Sequence, residues 1–182
     1  MKFKCSGCAT CCKTLGQGEE QKRKQEGFVR ILDVQGLPLF GWEHEKLEKL
    51  AAEKGVKADF RPSAVIFDKT GKAFIISYVL KGPLCPFLKD NRCTIYEDRP
   101  LRCRAYPLEA NTAGSKTLWS THICPELAGE TKGADVLYSE TAENALKEAE
   151  EYKKLRQQAE KVAVKKQGST DSMQDFTSLI KG

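Results

Sequence analysis

Short runs of apolar residues alternate with polar stretches in the first half of the chain and predict β-strands. Residues 28–34, 64–68 and 73–80 are rich in β-branched and aromatic types, which is typical of strands. A short polar turn containing Gly71 joins the last two runs, so these runs predict a β-hairpin. Between the first run and the hairpin, residues 43–54 carry apolar side chains at helical spacing and predict a short helix.

The pattern changes near the C-terminus, where apolar residues recur every three or four positions from Ser139 to about Lys166. This spacing predicts a long amphipathic helix. The residues after Gly168 are polar and offer few apolar anchors, so residues 168–182 are expected to form a flexible tail.

The predicted fold class is α+β: a small metal-dependent domain with a short β-hairpin or sheet and helices, followed by a long C-terminal helix. We expect a cysteine-cluster domain over residues 1–130. Residues 131–167 would be the helix, packed on that domain or extending from it.

Composition and charge narrow the class of protein. The 182 residues suit one domain with an appendage. Lysine and arginine number 30 and acidic residues 25, and the opposite charges alternate. The sequence therefore has no basic stripe that would argue for nucleic acid binding. The sequence has no apolar run long enough to span a bilayer and no apolar secretory signal at its start, so we expect a cytoplasmic protein.

The chemistry is concentrated in eight cysteines, which form two clusters. A reducing cytoplasm disfavours structural disulfides, and dense cysteine spacing there indicates metal binding. Ordinary buried thiols are the other alternative. All eight are therefore candidate metal ligands: Cys5, Cys8, Cys11, Cys12, Cys85, Cys93, Cys103 and Cys124.

Two metals compete for these thiols. Cysteines three positions apart at Cys5, Cys8 and Cys11 suit three corners of a 4Fe-4S cluster, with a remote cysteine as the fourth ligand. Alternatively, a Cys-x2-Cys pair with two distant cysteines makes a tetrahedral zinc site, and eight thiols suffice for two such sites. Adjacent side chains generally point apart, so we expect Cys12 to bind a second metal, reach the far side of the cluster or remain unligated. His122 is a further candidate to replace one thiolate.

The second cluster carries a more specific signature. Residues 85–107 contain Cys85-Pro86-Phe87-Leu88, Cys93-Thr94-Ile95-Tyr96, Arg99-Pro100-Leu101-Arg102-Cys103-Arg104 and Tyr106-Pro107. Taken with the first cluster, this block closely resembles the CxxCxxCC cysteine-cluster family of YkgJ-type proteins, which are described as zinc- or iron-chelating domains. The resemblance covers roughly residues 1–125 and implies metal chelation.

Three arginines near Cys103 have two possible roles. They could offset the charge of ligating thiolates, or they could pair with Glu97, Asp98 and Glu109 at the surface. For Arg102 and Arg104, which flank Cys103, both roles stay open, whereas surface pairing is favoured for Arg99.

These observations favour an iron–sulfur protein with an electron-transfer or redox role for a protein partner of unknown identity. A zinc-binding structural or interaction module is the alternative. A third possibility comes only from resemblance to flagellin lysine methylases, which implies a protein-modifying enzyme with an iron–sulfur cluster. No catalytic residue or organic cofactor site is indicated, so whether the chain is an enzyme stays open.

Overall fold

The computed structural model describes residues 7–13, 24–33, 35–110, 118–120, 124, 140–164 and 168–176. Helices and a mixed sheet occur together, which confirms the α+β class. The elements in chain order are α1 (Thr10–Lys13), β1 (Lys24–Glu26), β2 (Val29–Ile31), β3 (Leu37–Phe40), α2 (Gly41–Glu53), β4 (Asp59–Phe67), β5 (Lys72–Lys81), β6 (Leu88–Lys89), β7 (Arg92–Cys93), a 3₁₀ helix (Tyr96–Asp98), α3 (Leu101–Ala105), β8 (Leu108–Ala110), β9 (Leu118–Ser120), α4 (Glu140–Val162) and β10 (Ser169–Asp175).

The chain divides into two compact units, each made from two stretches of sequence. The first unit comprises residues 1–14 and 87–154, and the second comprises residues 15–86 and 155–182. This division differs from the expected boundary at residue 130, because the N-terminal cysteine segment joins residues far along the chain.

The second unit is built on the predicted hairpin. Strands β4 and β5 pair antiparallel, as expected, but β4 begins five residues earlier than the apolar run, at Asp59. The sheet has the order β1-β2-β4-β5-β10, and β3 also pairs with β5. Strand β3 is not indicated by the apolar pattern because it is short and contains Pro38. Proline is tolerated there because β3 is an edge strand.

The far edge of β5 is shared by two strands. Strand β3 pairs antiparallel with residues 77–80, and β10 pairs parallel with residues 72–75. Phe176, directly after β10, is fully buried. It packs in a core formed by β2, β4, β5 and the end of α4: Val29, Ala64, Ile66, Phe74, Ile76, Ala159 and Phe176.

The expectation of a flexible tail is therefore wrong for residues 168–176. The hydroxyl of Tyr78 donates a 2.6 Å hydrogen bond to Oδ2 of Asp175, and β10 completes the edge of β5. Tertiary contacts thus order a segment whose composition alone would leave it loose. Residues 177–182 lie outside the described residues.

The first unit contains two small hairpins, β6–β7 and β8–β9, together with the 3₁₀ helix and α3. Its core joins α3, β8 and the beginning of α4 through four small or aliphatic side chains: Ala105, Leu108, Ala142 and Ala145. The predicted long helix is confirmed as α4. No helix in the described parts of the chain is both long enough and apolar enough to cross a membrane.

Candidate metal centre

The N-terminal cysteines lie on a tight turn. Gly7 and Ala9 have positive φ angles of 73° and 61°, a conformation that reverses the chain direction within a few residues. The carbonyl of Ala9 then accepts hydrogen bonds from the backbone N–H groups of Cys12 and Lys13, at 3.0 and 3.1 Å. The turn therefore presents Cys8 and Cys11 from one short loop, as their three-residue spacing requires.

Cys11 and Cys12 do not point apart. Their side chains form a hydrogen bond, and this bond is the largest contribution to the raised pKa of the Cys11 thiol, followed by burial and by the charges of Cys12 and Cys8. This contact between the two thiols differs from the expectation that adjacent side chains point apart. Cys8 lies within 3.3 Å of the Thr10 hydroxyl.

The other cysteines of this unit are held by the segment from Phe87 to Ala105. A turn at Asp90 and Asn91, both with positive φ, connects β6 to β7. Cys93 pairs opposite Leu88 in this hairpin. Cys103 lies in the middle of α3, and the 3₁₀ helix connects the two cysteines.

The two cysteine clusters meet in the first unit. Burial raises the pKa of the Cys103 thiol well above its ordinary value, and negative charge on Cys11, Cys12 and Cys93 raises it further. Burial is also the largest cause of the raised pKa of Cys93, to which the charge of Cys11 contributes. Charges shift each other's pKa in this way only at short range, so the influence of Cys11 and Cys12 on Cys103 supports an approach of the two cysteine clusters. The assignment of these thiols as ligands of one metal centre stays a prediction.

Arg99 lies close enough to the cysteines to act on them, although surface pairing is the interpretation that the sequence favours. Its positive charge lowers the pKa values of both Cys93 and Cys103, opposing the burial that raises them. The guanidinium lies 3.6 Å above the ring of Tyr96, and its Nε donates a 2.8 Å hydrogen bond to the Tyr96 carbonyl. Arg99 is therefore a fixed cation beside the thiols.

Arg102 and Arg104 flank Cys103, but they contact other groups. Arg102 forms ion pairs with Glu109 at 2.9 Å and with Glu148 at 3.0 Å, and the Glu148 side chain is only 5% exposed. This second pair links α3 to the beginning of α4. Arg104 donates to backbone carbonyls of the preceding loop. Pairing with a carboxylate is thus confirmed for Arg102.

The structure says less about the remaining candidate ligands. Cys5 and His122 lie outside the described residues. Cys85 follows β5 and belongs to the second unit, and Cys124 is buried. The seven described cysteines form no disulfide.

The donor set suits a soft metal. Four neighbouring thiols are the kind of ligands that zinc and iron–sulfur clusters take in proteins. Within the described residues, no group of three or more His, Cys, Asp or Glu side chains is already spaced to hold a single metal ion. Cys5, the first member of the N-terminal cluster, is not among those residues.

The fold and the converging thiols define a small α+β protein of the cysteine-ligated metal-binding class. A family model supports this class independently. Residues 4–125 match the CxxCxxCC family, whose description is "putative zinc- or iron-chelating domain", and the chain belongs to this family. No curated protein and no solved structure matches the chain.

Proposed function

We propose that the chain is an iron–sulfur protein with an electron-transfer or redox role for a protein partner in the cytoplasm. The proposal is supported by one observation: the thiols of Cys11 and Cys12 act electrostatically on that of Cys103, and the thiol of Cys11 also acts on that of Cys93. Cysteines from two distant parts of the sequence would therefore supply the ligands together. A reducing cytoplasm would keep these thiols available for metal.

The spacing of the N-terminal cysteines favours a cluster over a single ion. Cys5, Cys8 and Cys11 have the Cys-x2-Cys-x2-Cys spacing that holds three corners of a cubane, and Cys103 or Cys93 would supply the fourth corner. Such a cluster, when bound, supplies one-electron transfer. Cys12 would remain beside Cys11, within hydrogen-bonding distance of its sulfur.

The protein's own residues would set the properties of this site. Raised thiol pKa values keep Cys11 and Cys103 protonated at neutral pH in the metal-free protein. Metal binding must therefore release protons, and the apparent affinity should rise with pH. Arg99 would favour the more negative, reduced state of a cluster, because its fixed positive charge lies beside the thiols.

Anaerobic purification followed by absorbance and metal analysis tests the proposal. A brown protein with about four irons and four acid-labile sulfides per chain would support the cluster. A colourless protein with one or two zinc ions would refute the iron–sulfur assignment and support a structural or interaction module. A protein without bound metal would refute both.

Substitution of one ligand adds a sharper test. We expect Cys8→Ser to lose the metal and to destabilise the N-terminal turn, because ligand binding and folding are coupled in small metal domains. The matched control is Thr10→Val, which removes the hydroxyl next to Cys8 but leaves the thiol in place. Full metal content and an unchanged melting temperature in Cys8→Ser would contradict its role as a ligand.

A further inference from the structure

One side chain, that of Arg104, makes hydrogen bonds to the segment between Cys93 and Cys103. Arg104 donates from Nε to the carbonyl of Arg99 at 2.8 Å and from Nη2 to the carbonyl of Glu97 at 2.6 Å. Its backbone N–H also donates to the carbonyl of Pro100, at 3.0 Å. Three hydrogen bonds thus connect this residue to the carbonyls of Glu97, Arg99 and Pro100.

These carbonyls need an external donor. The 3₁₀ helix ends at Asp98, and Arg99 is extended, with φ of −56° and ψ of 141°, as expected for a residue that precedes proline. Pro100 has no backbone N–H to offer. Carbonyls at the end of a helix are left without intrahelical partners, and the guanidinium of Arg104 supplies two of the missing donors.

The placement of Arg104 matters because it directly follows Cys103. Its hydrogen bonds fix the orientation of α3 relative to the preceding 3₁₀ helix. They therefore fix the position of the Cys103 sulfur relative to Cys93. Arg102, on the other side of Cys103, cannot do this, because it pairs with Glu109 and Glu148. The two arginines thus have separate tasks.

We propose that Arg104 is a positioning residue of the metal centre. By holding the carbonyls of Glu97 and Arg99, it keeps Cys93 and Cys103 converged before metal binds. The inference rests on the proposed function, since it assigns Arg104 to the same thiol site. It does not depend on which metal is bound.

Lysine is the informative replacement. The guanidinium is a planar fork that donates in two directions at once, whereas an ammonium group is a compact point charge on a flexible stem. Arg104→Lys keeps the charge and most of the alkyl chain but should not hold both carbonyls. Arg104→Gln removes the charge as well. Arg92→Lys and Arg92→Gln are matched controls, because Arg92 is exposed in the neighbouring hairpin.

The experiment measures metal loss from the full-length protein, purified anaerobically with its own metal. Each variant is mixed with excess EDTA, and the release is followed by bleaching of the cluster absorbance or by a chromophoric chelator if the metal is zinc. We expect both Arg104 variants to lose metal roughly 10-fold faster than the wild type, a typical effect of removing a residue that orients metal ligands. The Arg92 variants should match the wild type.

The outcomes separate the inference from the proposed function. A wild-type protein that carries no metal refutes the proposed function itself. A metal-loaded wild type with Arg104→Lys releasing metal at the same rate overturns only the role of Arg104. Far-ultraviolet circular dichroism and melting of the metal-free proteins show whether the variants fold. If neither Arg104 variant folds, the residue belongs to the stability of the fold and the inference is also overturned.

Discussion

Gly168 provides a direct test of the ordered C-terminal strand. A Cβ atom at this position would lie 2.3 Å from the Gly71 carbonyl oxygen and 2.5 Å from Cδ1 of Phe67. Both neighbours are hard to move, because one is backbone in the β4–β5 turn and the other is a fully buried ring. Gly168→Ala should therefore force either the turn or β10 out of position.

The loss of folding free energy is set by whichever of these two structural changes is easier. Inserting a methyl group into a packed interior typically costs about 1–3 kcal/mol. Releasing β10 instead would expose Phe176 and break the hydrogen bond from Tyr78 to Asp175. We expect a destabilisation of about 2–3 kcal/mol.

Urea unfolding followed by circular dichroism measures this change, and amide hydrogen exchange of residues 72–75 reports whether β10 has left the edge of β5. The control is Ser172→Ala in the same strand, where the side chain is exposed and the effect should stay within about 0.5 kcal/mol. If Gly168→Ala is as stable as this control, the close approach of β10 to the β4–β5 turn is wrong.

Two further predictions concern charge. Arg99→Gln should raise the thiol pKa values of Cys93 and Cys103, because it removes the cation that lowers them. Slower iodoacetamide labelling of both residues in the metal-free protein would show this. Labelling as fast as in the wild type and in the Arg92→Gln control would contradict it. Lys81→Gln should destabilise the protein by about 1 kcal/mol at pH 7, because burial raises the Asp33 pKa but the 2.7 Å hydrogen bond from Lys81, with other donors, lowers it overall. A depressed carboxyl pKa stabilises above the unfolded value of about 3.9, so this loss should disappear as pH falls through the folded pKa; an equal loss in urea unfolding at pH 7 and pH 3 would refute it.

Hydrophobic periodicity predicted the elements whose own sequence has a long, regular apolar pattern. The β4–β5 hairpin and α4 each have a long apolar pattern with a Gly-containing turn or a regular three- to four-residue step. The sequence also predicted that the two cysteine clusters associate, because dense cysteine spacing indicates metal binding, and the influence of Cys11 and Cys12 on the pKa of Cys103 supports this prediction.

The elements that were missed depend on tertiary context. Strand β10, Ser169–Asp175, is polar apart from Met173 and becomes a strand because β5 offers an unpaired edge and Phe176 enters the core. The roles of the arginines could not be read from their distance to Cys103 in sequence. Arg99 is four positions away but acts on the thiols, whereas Arg102, one position away, forms ion pairs with Glu109 and Glu148.

The thiol cluster is itself an argument for a ligand-binding role. Burial makes it hard for Cys103 to ionise, and negative charge on Cys11, Cys12 or Cys93 makes it harder still. Without a metal, Cys103 therefore stays a neutral thiol at neutral pH. A bound cation reverses the sign of this interaction, because a metal stabilises the thiolates that otherwise repel one another. The site thus disfavours thiolates in the metal-free protein and would favour them once a metal binds, and this difference is why we treat these thiols as ligands.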